Sequence, residues 1–354
     1  MRFLSLLLLA TLLLSSAGSE VPWITLLPTE NLDSWRSEGG RATFRLEEGE
    51  VVGQTTANSA NTFLCTRRNW GDFELEYEFL CNQGLNSGVQ IRSEVVGKKV
   101  RGYQIEIDVD KKQKRFWSAG VYEEGGRGWL DDLSDNKEAR DALRPTEWNR
   151  VRVVAVGDRI QTWLNGVPAA DLIDPVSQTG FIGLQVHGVG GRKDPLEVRW
   201  RSMRIRDLGE HRWQAMASFI FADPDRQRVE PQEVSGAAIA SGRSLRMRTR
   251  LESQTLTLLF RGLRVVIAPG SVSLEDTGGR REALSESLAR AVRKGERVTL
   301  ARIGTRAVLH VGDRRGAQLK GLSEEPPASA PRWRLQGAGL RVWDVAVLIP
   351  VESR

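Results

Sequence analysis

The sequence has little cysteine and little histidine, two and three residues respectively in 354. No Cys-x-x-Cys spacing occurs, which removes the usual signature of a structural zinc site. Two cysteines also cannot build a disulfide framework. Cys65 and Cys81 leave two readings: one bridge, or two buried small apolar side chains. They flank Asn69–Asp72 (NWGD), read here as a hairpin turn, unequally, so simple register does not set them opposite one another.

Long apolar runs are missing beyond the start. Arg2, the apolar stretch Phe3–Leu14 and the small residues of SSAGSE form the pattern of a secretory signal peptide, placed at residues 1–19. That stretch is shorter than the roughly 20 residues a bilayer span needs, and no later run qualifies, so no transmembrane segment is expected. No cysteine stands near the cut to carry a lipid. The mature chain is expected to be exported, to the periplasm or beyond. The formal net charge is +6 with a pI near 9.6. Its arginines are dispersed rather than gathered on one helix, which argues for solubility and against a nucleic-acid partner.

Helical periodicity is scarce too; Asp135–Leu143 (DNKEARDAL) is the best helix candidate. Alternation dominates instead. DFELEYEFL sets Phe73, Leu75, Tyr77 and Phe79 on one side and Glu74, Glu76 and Glu78 on the other, as in a strand with one buried and one wet face. NSGVQIRSE, NRVRVVAVG, RIQTWLNG, TGFIGLQVHG and PLEVRWRSMRIRDL continue it, with turn residues between them. The pattern predicts an all-β chain of sandwich or jelly-roll type. Trp148–Gly166 and Glu296–Asp313 share a strand, Gly-turn, strand layout. This echo predicts two β-sandwiches in tandem, residues 20–209 and 210–354, joined near Gly209–Trp213. The segment Ser323–Pro331 is a second expected site of cleavage. Only the first half carries chemistry-bearing motifs. The second has no counterpart of Glu106–Asp108 and has Ala338 where His187 would fall, so it is expected to be degenerate.

One strand stands apart. In GYQIEIDVD, Gln104, Glu106, Asp108 and Asp110 share a face and Ile105, Ile107 and Val109 the other. On the preceding strand Gly88, Gln90 and Arg92 share a face. Trp117, Tyr122, Arg127 and Trp129 follow closely, and Gln185 and His187 close a later strand. Rings that stack on pyranose C–H faces beside planar polar groups that take hydroxyls suit a carbohydrate site. His187 at a strand end before a Gly-rich turn suits proton transfer near neutral pH.

DFELEYEF, NSGVQIRS, GYQIEID, WSAGVYEEGGRGWL, EWNRVRV, TWLNGVPAADLID and GFIGLQVHG, in this order over Ile24–Gly209, resemble the 3-keto-disaccharide hydrolase family. The resemblance implies a concanavalin-like jelly roll, bacterial export, and action on glycosides whose C3 hydroxyl has been oxidised to a ketone. Such a ketone acidifies the C2 proton; its removal with loss of the C1 substituent gives elimination, and water addition gives net hydrolysis. On that chemistry Glu106, Asp108 and His187 are the catalytic candidates. Arg92 is a clamp for the enolate or a hydroxyl, and Asn86, Gln90, Gln104, Trp117, Tyr122, Arg127, Trp129 and Gln185 would bind the sugar. A divalent cation held by Glu106, Asp108 and His187 is a further candidate for stabilising the enolate. Two rivals stand beside this reading. One is a laminarinase-type endoglucanase, with Glu106 as nucleophile and Asp110 as acid. The other is a carbohydrate-binding sandwich without turnover.

Overall fold

The computed structural model describes residues 21–27, 30–110, 116–215, 244–251, 255–323, 334–336 and 340–351. The signal-peptide expectation, Ala338 and most of Ser323–Pro331 lie outside the described residues.

The chain is all-β, as the alternation predicts. Its first half is a sandwich of two antiparallel sheets. One has the strand order Gly128–Asp131, Val121–Glu124, Lys99–Asp108, Asn86–Val96, Phe181–Val186, Thr62–Thr66, Trp35–Gly39. The other contains Val167–Ile173, Arg159–Leu164, Asn149–Val156, Asp72–Cys81 and Glu197–Ala215 in that order. Between them lies one apolar core, to which Phe73, Leu75, Tyr77 and Phe79 contribute from one sheet and Ile105, Ile107 and Val109 from the other. Asn69–Asp72 is not a hairpin turn: the strands it joins belong to different sheets. Cys65 and Cys81 therefore lie in different sheets, and both are free and buried. Burial pushes the Cys65 thiol up to about 12.

The opposite face of Asp72–Cys81 is wet and charged. Glu74, Glu76 and Glu78 interleave with arginines of both neighbouring strands; Arg150 and Arg204 meet Glu76 at 2.7 and 2.6 Å, and Arg201 meets Glu78 at 2.7 Å. Alternation at period two is what lets one strand serve both the core and this ion-pair ladder.

The predicted linker at Gly209–Trp213 is absent. Glu197–Ala215 is one strand, paired with Asp72–Cys81 along its first part and with the end of Leu340–Val351 from Glu210 onwards. Gly209, at φ +92°, absorbs a register shift without ending the strand. One sheet thus runs from the first half into the second, through Leu340–Val351, Ser244–Leu251, Lys294–Ile303, Arg306–Val311 and Arg314–Leu319. The second half has its own apolar cluster, between these strands, a five-stranded sheet and the helix Glu286–Arg293. That helix was not anticipated; Leu288, Ala289 and Val292 are its buried stripe. The expected helix at Asp135–Leu143 is shorter, Lys137–Asp141, capped by Asn136, whose side chain accepts from Ala139 N at 3.1 Å.

Candidate functional site

The long hairpin Asn86–Val96/Lys99–Asp108 sets the floor of a cleft. Its register puts Gly88 opposite Glu106 and Gln90 opposite Gln104, while the next strands put Tyr122 opposite Gln104 and Gln185 opposite Gly88. These polar residues therefore share the sheet face turned away from the core. The face is not open surface: Gln90, Gln104, Glu106 and Gln185 are all buried. Burial of Gln90, Gln104 and Glu106 is tolerated because they bond to one another, whereas Gln185 Oε1 is buried without a partner among the described residues. Ser93 Oγ donates to Gln90 Oε1 at 2.9 Å, Gln90 Nε2 to Gln104 Oε1 at 2.6 Å, and Gln104 Nε2 to Glu106 Oε2 at 2.9 Å. Asn86 Nδ2 donates to Glu106 Oε1. Both carboxylate oxygens of Glu106 are thus oriented by amide donors. Gly88 makes room for this row, since a Cβ there would fall 2.4 Å from Gln104 Cγ.

The cleft encloses about 420 Å³ and is lined by Asn61, Asn86, Gln104, Glu106, Tyr122, Glu124, Trp129 and His187. His187 follows the strand Phe181–Val186. Its Nδ1 donates to the Gly188 carbonyl at 2.8 Å, which leaves Nε2 as the ring nitrogen available to a ligand. Asn61 ties this turn to Glu124: Asn61 Oδ1 accepts from Gly188 N at 3.0 Å, and Nδ2 donates to Glu124 Oε1 at 3.2 Å. Gln185 Nε2 reaches Glu124 Oε2 at 3.5 Å. Burial raises the Glu124 carboxyl above the ordinary glutamate range, and the Asn61 donor and nearby His187 offset only part of this. Burial, then the charges of Glu124 and Glu106, raise the Tyr122 phenol, so its hydroxyl remains a donor. Trp129 stands edge-on to both Tyr122 and Trp117, with ring centroids 5.3 and 4.7 Å apart. The result is a polar floor with an aromatic wall.

Six of the sequence-derived residues meet in this cleft: Asn86, Gln104, Glu106, Tyr122, Trp129 and His187. Gln90 and Gln185 lie beneath it as supports, and Trp117 stands behind Trp129. Three residues are elsewhere. Arg92 sits at a bulge with φ +46°, where the register shifts and turns its side chain off the cleft face. Its guanidinium is buried on Gly71 O at 2.8 Å, Gly157 O at 2.6 Å and Asp72 Oδ1 at 3.0 Å, so it has no capacity left for an enolate. Arg127 is spent on Glu123 and Asp174, each at 2.7 Å. Asp108 is buried and does not line the cleft. Glu106, Asp108 and His187 consequently do not converge, and among the described residues no three His, Cys, Asp or Glu form a metal cage. Asp110, the acid of the endoglucanase reading, follows the end of its strand and is not among the residues lining the cleft.

Sequence reasoning missed Glu124 and Asn61. Glu124 was legible, because it shares a strand face with Tyr122 at a spacing of two. Asn61 was not: it comes from a turn whose position depends on the fold.

Residues 22–206, more than half of the chain, match the 3-keto-alpha-glucoside-1,2-lyase-like domain. The chain belongs to that family. No curated protein sequence matches it. Among solved structures, a proposed glycosyl hydrolase from Parabacteroides distasonis is 20% identical, covering 53% of this chain and 100% of its own, with a TM-score of 0.39. A galectin-like protein of unknown function from Bacillus subtilis is 12% identical over 50% of this chain and 90% of its own, with a TM-score of 0.38. A carbohydrate-binding module from the same organism is 14% identical over 49% and 96%, with a TM-score of 0.34. At these TM-scores the three structures add nothing to the functional reading.

Proposed function

We propose that the protein cleaves 3-keto-glycosides by C2 proton abstraction and elimination. The observation that carries this reading is the convergence of Glu106, Glu124 and His187 in one aromatic-walled cleft of the family-matched half. Glu106, oriented by Asn86 and Gln104, takes the C2 proton. The C1–O bond breaks and the departing oxygen takes the proton of Glu124, whose raised pKa suits a general acid. The product is a C1–C2 alkene conjugated to the C3 ketone. Charge that develops on the C3 oxygen is met by the Tyr122 hydroxyl, Asn61 and Gln185 hold Glu124 in place, and His187 Nε2 takes a sugar hydroxyl. Water added at C1 gives its proton to Glu124, and Glu106 returns a proton to C2. This completes hydrolysis with atoms balanced. Trp129 flanks the apolar face of the ring, and Asn61 takes a hydroxyl.

The N-terminal segment is proposed as an export signal, which places the reaction outside the cytoplasm. Residues 210–354 are proposed to serve packing or glycan binding, without a second cleft of this kind. Incubating purified protein with a 3-keto glucoside, the parent glucoside and a β-glucan tests the reading. Cleavage confined to the keto sugar supports it. Cleavage of β-glucan would favour the endoglucanase, and binding without cleavage a carbohydrate-binding module.

A further inference from the structure

A second polar cleft, of about 370 Å³, lies where the two halves meet. The first half supplies Glu94 and Arg101 from the distal end of the site hairpin and the segment Pro175–Thr179. The second half supplies Trp213, Arg246, Arg297 and Thr299. In the shared sheet Arg246 stands directly opposite Thr299, and Arg297, two residues before Thr299, is on the same face. The strand that crosses between the halves brings Trp213 to this face, and the Arg246 guanidinium lies 4.8 Å from its ring centroid.

The charges of this cleft are unevenly satisfied. Arg92 is bound to Asp72, and Arg101 to Asp313 at 2.8 Å. Arg297 reaches the same Asp313 only at 3.7 Å. Of the carboxylates, Glu123 is held by Arg127 and Asp313 by Arg101, while Glu94 is exposed at the rim. Arg246 is different. Among the described residues it has no hydrogen-bond or ion-pair partner, and its Nε is buried without one. Burial lowers its pKa, Asp344 opposes this, and Arg297 and Arg248 add to the lowering. An arginine fork with an unmet buried N–H, stacked on an indole beside a second under-paired arginine and a hydroxyl, is complementary to a planar or tetrahedral oxyanion.

We propose that the cleft between the halves is a second binding site, in which Arg246, Arg297 and Thr299 take the oxyanion of a small polar solute, the carboxylate of a sugar acid or a phosphate. Trp213 holds the Arg246 fork in place from below. The proposal is independent of the reaction assigned to the Glu106 cleft.

Calorimetric titration of the full chain at low salt with D-glucuronate, inorganic phosphate and D-glucose tests it. At least one anion should bind saturably, and Arg246→Gln should weaken it roughly ten-fold or more, the scale of a lost charge-assisted hydrogen bond. Arg297→Gln should weaken it less, because Asp313 already engages that side chain. Tighter binding of glucuronate would assign the site to sugar acids, and tighter binding of phosphate to phosphate esters. Glu106→Gln should leave anion binding intact; its loss there would place the anion in the other cleft and overturn the assignment. Failure of both anions to bind saturably would also overturn it, as would unchanged affinity in a folded Arg246→Gln protein. If that variant does not fold, unchanged affinity in both Arg297→Gln and Thr299→Val overturns the assignment instead.

Discussion

Gln104 donates from Nε2 to Glu106 Oε2 at 2.9 Å while its own Oε1 accepts from Gln90 at 2.6 Å. This row orients the carboxylate. Glu106→Gln keeps the shape but sets a new NH₂ against the donors of Asn86 or Gln104. Turnover of a 3-keto glucoside should fall roughly 10²-fold or more. Stability should fall by about 1 kcal/mol, since a buried donor loses its acceptor unless the row of amides flips together. Asp110→Asn, outside the cleft, should be milder in rate. Rates and thermal melts of the two variants check this; equal turnover in both would remove Glu106 from the reaction.

Gly88 is required by a side chain rather than by its own backbone angle. The Cβ of Gly88→Ala would meet Gln104 Cγ at 2.4 Å and push the amide off Glu106. Activity should drop by roughly an order of magnitude or more, the cost of misplacing a group in the site. A crystal structure of the variant should show Gln104 displaced. An unmoved Gln104 with full activity would show that the row does not position Glu106.

Arg92 acts in folding and not on the sugar. Arg92→Met leaves Asp72 and two carbonyls short of their buried donor. The expected loss is about 3–5 kcal/mol, the scale for breaking one side of a buried ion pair. KM for the keto sugar should be unchanged in whatever fraction remains folded. A raised KM at unchanged stability would return Arg92 to the role of a clamp.

Asp158 should make stability depend on pH. It is buried at the contact between the halves, where Ser244 and Gln178 donate to it, and burial raises its pKa to about 6. The fold therefore favours its neutral form. That contribution is fully present below the ordinary aspartate range, near 3.8, and is lost as the pH rises through about 6. Asp158→Asn should remove the slope, so that its stability relative to wild type improves by up to about 3 kcal/mol between about pH 4 and pH 7. Denaturant melts across that range check it. Parallel curves would mean that Asp158 is solvated when the protein is folded.

Much of the fold was legible locally. Alternation in DFELEYEFL predicted both the core row and the charged face of that strand, because side-chain direction in a strand depends only on parity. The same rule placed Gln104 and Glu106 together, and would have found Glu124 beside Tyr122. It failed at Arg92, because parity holds only where a strand is regular and a bulge resets it. It also failed at the joint of the halves. Gly209 reads as a strand end, yet the backbone hydrogen bonds offered by Leu340–Val351 carry the strand through it.

By itself, the sequence determined an all-β chain, its first sandwich, the family, and the polar and aromatic residues from which a site could be made. Tertiary structure alone decided which of these meet. Asn61 and His187 share a cleft with Glu106 because four strands lie side by side in one sheet, and Arg246 finds Trp213 because one sheet runs through both halves. Those neighbours are distant along the chain, and their approach is set by strand order and register, which pairing across the sheet fixes and local pattern does not encode.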